Sequence, residues 1–131
     1  MPSFREKIIY GTASDLSIPL AGLAFDINLL AGAESDVIDN TSEGLLDVMV
    51  SGFITTGTSP TANRVIELWA IAARDDTNFP TVFDGTASAE TIASVNIKNG
   101  ICKFIVSLLV TSSSDTTYHF SGISLASAFG G

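Results

Sequence analysis

Apolar and polar residues alternate with a period of two along much of the chain, the pattern of strands that turn one face to a core and one to water. In GLLDVMVSGFI, residues Leu46, Val48, Val50 and Ile54 fall on one face, and Asp47 and Ser51 on the other beside Met49 and Phe53. RVIELWAIAA places Ile66, Leu68, Ala70 and Ala72 opposite Val65, Glu67, Trp69 and Ile71. Both of its faces are mostly apolar, which predicts a central strand or one covered twice. ICKFIVSLLV sends Cys102, Phe104, Val106, Leu108 and Val110 one way and Lys103 and Ser107 the other, and TYHFSGISLASAF predicts one last long strand or two shorter ones. Nearer the start, Leu16, Ile18 and Leu20 suggest a strand that Pro19 keeps at an edge, and DINLLAGAES suggests a short helical turn. The expected total is seven or eight strands.

Turn chemistry separates these runs. TTGTSPTAN, KNG and TSSSDTT each lie between two of them. Asn99-Gly100 has the composition of a two-residue hairpin turn, since both residues accept positive φ. That turn would set Ile97 opposite Cys102, Val95 opposite Phe104 and Ala93 opposite Val106, all apolar on one face. Lys98 and Lys103 would then lie on the wetter face, and a slip of one residue would turn the apolar set outward. Cys102 accordingly reads as a core side chain, because a reactive thiolate needs an electropositive, partly exposed setting. The remaining connection, Arg74 to Thr91, runs to 18 residues. Connections of that length without structure are uncommon inside a domain and are often functional.

Many short strands, few helical patterns and no repeat predict an all-β fold spanning residues 1–131 as a single domain. The expected form is a two-sheet antiparallel sandwich, jelly-roll-like because a long mid-chain excursion suits a crossing between sheets. An immunoglobulin-like sandwich is the alternative, although the Cys…Trp…Cys spacing of that fold is missing. Residues 1–10 read as an N-terminal arm.

Composition narrows the function classes. The chain has 131 residues, 46% hydrophobic and 15% charged, enough for one core without staples. No segment reaches the ~18 apolar residues of a membrane span, and Arg5, Glu6 and Lys7 leave no room for a secretory h-region. A soluble protein made in a reducing cytoplasm is expected, since one cysteine forms no internal disulfide. The net charge of −8, with six scattered basic residues, argues against nucleic acid and against an anionic membrane surface.

Catalytic constellations are missing. GISLA lacks the strand-to-helix turn of a nucleophile elbow, and the single histidine, His119, precedes Ser124 instead of following it. One histidine builds neither a zinc site nor a cupin-type centre. Asp75, Asp76 and Asp84 offer oxygen ligands to calcium, but at no EF-hand spacing, and loop solvation is the plainer reading. No enzyme activity and no cofactor are expected. Trp69, Phe79 and Phe83 could stack on a sugar, yet a mid-strand Trp69 fits packing between sheets better. The two loop phenylalanines need cover from their own domain or from a neighbour.

Three segments, YGTASDLSIPLAGLA, GLLDVMVSGFITTGTSPTANRVIELWAIAARDDTNF and FSGISLASAFGG, resemble a group of small virion proteins of tailed bacteriophages and prophages. In that group an acidic DGTNF-like turn precedes a variable loop, and a late strand runs into AFGG. Relatives continue beyond that stretch with further strand material. Here either the sandwich closes with fewer strands or another chain completes its last edge. The resemblance implies a β-sandwich capsid decoration or cement protein, or a head or tail fibre component. It would be located in the virion and would have the major capsid protein or another virion protein as partner, along with further copies of itself. The expected contacts are Phe4, Ile8, Ile9 and Tyr10 in the arm and Phe79, Pro80, Val82 and Phe83 in the long loop. A carbohydrate-binding module is the alternative function.

Overall fold

A computed structural model of the chain describes residues 13–39, 47–75 and 77–125. Among them the fold is mainly β, with one short helix. Strands β1 (Ala31–Glu34), β2 (Met49–Thr55), β3 (Arg64–Ile71) and β4 (Ser88–Thr91) precede helix α1 (Val95–Ile101), which is followed by β5 (Cys102–Val110) and β6 (Thr117–Ser124). They pair as three antiparallel two-stranded ladders, β1 with β4, β2 with β6 and β3 with β5. Each described strand thus has one neighbour, including β3, whose apolar faces predicted a central strand or one covered twice. Its residues 65–71 are nevertheless all half-buried, so cover comes from packing and not from a second ladder.

Period two reads correctly in β2. Val50, Gly52 and Ile54 are half-buried, while Met49, Ser51, Phe53 and Thr55 are exposed. Strand β6 alternates against it until a one-residue bulge, where Val50 faces Ile123 but Gly52 faces Phe120. Gly122 supplies the positive φ of that bulge, +67°, and its N–H donates to the Ser51 hydroxyl at 3.2 Å. The Phe120 ring lies directly over Gly52, where an added Cβ would come within 2.9 Å of it. Beyond the strand ends the ladder continues through Thr56, whose backbone and hydroxyl both bond to Thr116.

A second bulge changes the reading of β5. Leu68 faces Val106 but Trp69 faces Phe104, leaving Ile105 as the extra residue. The five residues expected on one face are therefore split: Cys102 and Phe104 share the face of Ile71 and Trp69, while Val106, Leu108 and Val110 share that of Leu68, Ile66 and Arg64. Cys102 and Val110 are buried, but Phe104 is 50% exposed. Burial raises the Cys102 thiol pKa, with Lys98 pulling weakly the other way, which agrees with an inert core cysteine.

The Asn99-Gly100 hairpin does not form. Ser94 instead caps α1, its hydroxyl accepting the Ile97 N–H at 3.2 Å, and the Cys102 N–H closes the last turn on the Lys98 carbonyl. Asn99 and Gly100 fall inside this helix, and β5 takes β3 as its partner. Val95 and Ile97, expected opposite Phe104 and Cys102, are 43% and 36% exposed. Lys98, expected in solvent, is 6% exposed.

The first third of the described chain differs as well. Leu16, Ile18 and Leu20 form no strand, and Leu16 and Leu20 are exposed. DINLLAGAES is a turn followed by β1. The Asp26 carboxylate accepts the N–H groups of Asn28, Leu30 and Ala31, each at 3.0 Å, and these bonds lower its pKa. Leu29 takes a positive φ inside that turn. Strand β4 takes the end of the expected 18-residue loop and shortens it to residues 74–87. Among the described residues only Ile92, Cys102 and Val110 are buried apolar side chains, against fourteen large apolar side chains that are exposed.

Candidate partner-binding surfaces

The long loop is built on carboxylates. At its start Asp75 Oδ1 accepts the backbone N–H groups of Thr77 and Asn78 at 3.0 and 2.8 Å, and the Asn78 amide donates to both of its oxygens. These bonds, led by the one from the Thr77 backbone, lower the Asp75 pKa to about 2. At its end Glu34 Oε1, from β1, accepts three successive backbone N–H groups, those of Asp84, Gly85 and Thr86, at 3.1, 2.7 and 3.2 Å. Glu34 is 8% exposed, and its Oε2 is buried with no hydrogen-bond partner. Asp84 and Asp36 accept the next N–H groups, of Thr86 and Ala87. Asp75 and Asp84 therefore serve as backbone acceptors. No group of three metal-ligating side chains occurs among the described residues, which leaves the calcium reading without a cluster.

This scaffold decides where the expected contact residues go. Gly85 takes φ +80°, and the Phe79 ring packs against it so closely that a Cβ there would stand 2.7 Å from the ring. The Gly85 carbonyl accepts the Val37 N–H at 3.1 Å. Phe79, Pro80 and Phe83 are half-buried, so the cover they need comes at least partly from their own domain, and Val82 is 40% exposed. Exposed Val37 and Ile38 follow the segment bonded to Gly85. Phe4, Ile8, Ile9 and Tyr10 lie outside the described residues.

Trp69 is engaged on several sides. Its Nε1 donates to Glu67 Oε2 at 2.8 Å, Phe104 meets it edge-on at 5.4 Å, and the Lys98 ammonium sits 5.0 Å from its ring centroid. Lys98 also donates to Glu67 at 3.2 Å and to the Leu29 carbonyl at 3.0 Å. The Asp26 turn, α1 and β3 are thereby tied at one ammonium group. The indole is half-buried, with its N–H bonded to Glu67 and its ring against Phe104 and Lys98.

Sequence reasoning missed Glu34, whose partners lie 50 to 52 residues away. It also passed over the outward face of β2 and β6. Phe53 there is 67% exposed and Met49 60%, and His119 stands opposite Phe53 with ring centroids 5.8 Å apart. The signal was present, since two large apolar residues on the face marked by Asp47 and Ser51 are out of place on a simple solvent face. No family model, curated protein or solved structure matches the chain.

Proposed function

We propose that the chain is a non-enzymatic structural protein of a phage virion, a capsid decoration or cement protein that oligomerises and binds the capsid shell. The observation that supports this reading is the imbalance of its surface. Among the described residues, three buried apolar side chains against fourteen large exposed ones leave much apolar surface in water, where each square ångström costs roughly 25 cal/mol. Two-stranded ladders are also marginal on their own in water and gain from neighbours. A protein repeated on a lattice obtains that cover from its surroundings, and avidity multiplies weak contacts. In this reading the ladders belong to a two-sheet, jelly-roll-like sandwich. The protein is made in the host cytoplasm, resides in the virion and meets the major capsid protein or another virion protein. Val82 and its neighbours Phe79, Pro80 and Phe83, with the arm from Phe4 to Tyr10, make the capsid contact.

The test is a pair of measurements on purified protein, its mass in solution across a concentration series and its binding to capsids that lack it. Concentration-dependent self-association with saturable binding is expected. A strict monomer that leaves such capsids bare overturns the proposal.

A further inference from the structure

We infer that the outward face of the β2–β6 ladder is the surface through which one copy of this chain binds another. The inference rests on the proposal that the protein oligomerises and names the surface involved. The face consists of Met49, Ser51, Phe53 and Thr55 on β2 and Thr117, His119 and Ser124 on β6, set by a register in which Met49 faces Ser124, Phe53 faces His119 and Thr55 faces Thr117. A hydrogen bond of 2.8 Å between the Thr55 and Thr117 hydroxyls closes one end. At the other end the Ser124 hydroxyl donates to Asp47 at 2.6 Å, so one carboxylate, in phase with Met49, borders the face.

Charge selects the occupant. Every copy carries a net charge of −8, so two copies repel least where they meet through surfaces poor in carboxylates. The seven positions of this face include no Asp, Glu, Lys or Arg, and Asp47, in phase with them at the end of the face, has its carboxylate hydrogen-bonded to Ser124. The long loop, in contrast, carries Asp75 and Asp84 beside Asp36, and suits a partner of different charge. A two-fold axis would set this face of one copy against the same face of the next. Two such ladders stacked about 10 Å apart would place the Phe53 and Met49 side chains of one copy against those of the other.

The magnitude points to a weak contact. A phenylalanine offers about 150–250 Å² of buriable surface, of which Phe53 still exposes 67%. Phe53 and Met49 together thus bring a few hundred Å² per copy, short of the roughly 800 Å² per partner of a standard interface. Self-association is accordingly concentration-dependent, in the range of roughly 10–100 μM.

Sedimentation of the full chain over a concentration series that brackets this range, with Phe53→Glu and Met49→Lys beside the wild type, tests the inference. Both substitutions are at exposed positions, and Trp69 fluorescence checks that the β3–β5 ladder keeps its native surroundings. The wild type is expected to associate and each variant to weaken that association at least tenfold. A Phe53→Cys variant, oxidised at high concentration, is expected to give a disulfide-linked dimer while the buried Cys102 stays unreacted. If the wild type associates but neither substitution changes its mass distribution and Phe53→Cys does not cross-link, the surface is wrong and oligomerisation stands. A wild type that stays monomeric overturns the oligomer itself. Loss of capsid binding by Phe53→Glu with unchanged self-association assigns the face to the shell and overturns the inference.

Discussion

Glu34 offers the sharpest test of how the long loop is held. One carboxylate oxygen accepts three consecutive amides from a segment with no regular secondary structure, and the side chain is 8% exposed. Glu34→Ala leaves the Asp84 and Gly85 amides without this acceptor, while the Thr86 N–H keeps Asp84 Oδ1 at 2.9 Å. Hydrogen bonds to a charged group are worth about 1.5–3 kcal/mol each, but here three share one oxygen and water can reach partly exposed Asp84 and Thr86. About 1 kcal/mol for each of the two amides is therefore the appropriate figure, near 2 kcal/mol in total. With a urea dependence of about 1.5 kcal/mol per molar for a small protein, the unfolding midpoint falls by about 1.3 M at unchanged slope. Glu34→Gln keeps one acceptor oxygen but sets an amide where the partnerless Oε2 stands, and costs about 1–2 kcal/mol. Urea titration at fixed protein concentration, read by circular dichroism, gives both numbers, and exchange of the Gly85 amide localises the effect. A change below about 0.5 kcal/mol for Glu34→Ala, with Gly85 exchange unaltered, would refute the reasoning.

Two further outcomes follow from the other charged anchors. Lys98→Met deprives Glu67 and the Leu29 carbonyl of a donor and is expected to cost about 2 kcal/mol, below the full penalty for a broken buried pair because Trp69 still donates to Glu67. Combining it with Glu67→Gln should recover part of that loss in a double-mutant cycle, whereas strict additivity would show that the pair is not coupled. Asp75 has a folded-state pKa of about 2, below its unfolded value near 3.9, so its contribution is present above pH ~4 and is lost as the pH falls towards 2. Carboxyl-carbon NMR titration checks this, and a midpoint near 3.9 would remove the Asp75 turn from the account of the loop.

What sequence determined here is local. Alternation placed β2, β3, β5 and β6, because a strand's side-chain period repeats every two residues whatever its partner. The sole cysteine was read as core from the register of a hairpin that does not form, and it is buried all the same, opposite Ile71 of β3. The sequence failed where the deciding contact lies far along the chain. AGAE carries no β-branched or aromatic residue to announce a strand, yet it becomes β1 by pairing with β4, far along the chain, and Glu34 then reaches the amides near Gly85. Asn99-Gly100 has hairpin chemistry, yet Ser94 caps a helix whose Lys98 is held by Leu29, Glu67 and Trp69. The two bulges re-phase β5 and β6 at single residues, Ile105 and the neighbourhood of Gly122, that periodicity alone does not distinguish. The candidate interface divides in the same way. Alternation exposed Phe53 and Met49 beside polar neighbours, but only strand pairing gathered them with His119, Thr117 and Ser124 into one face, bordered by Asp47. Periodicity reports which way a side chain points, and long-range pairing decides which side chains share a surface.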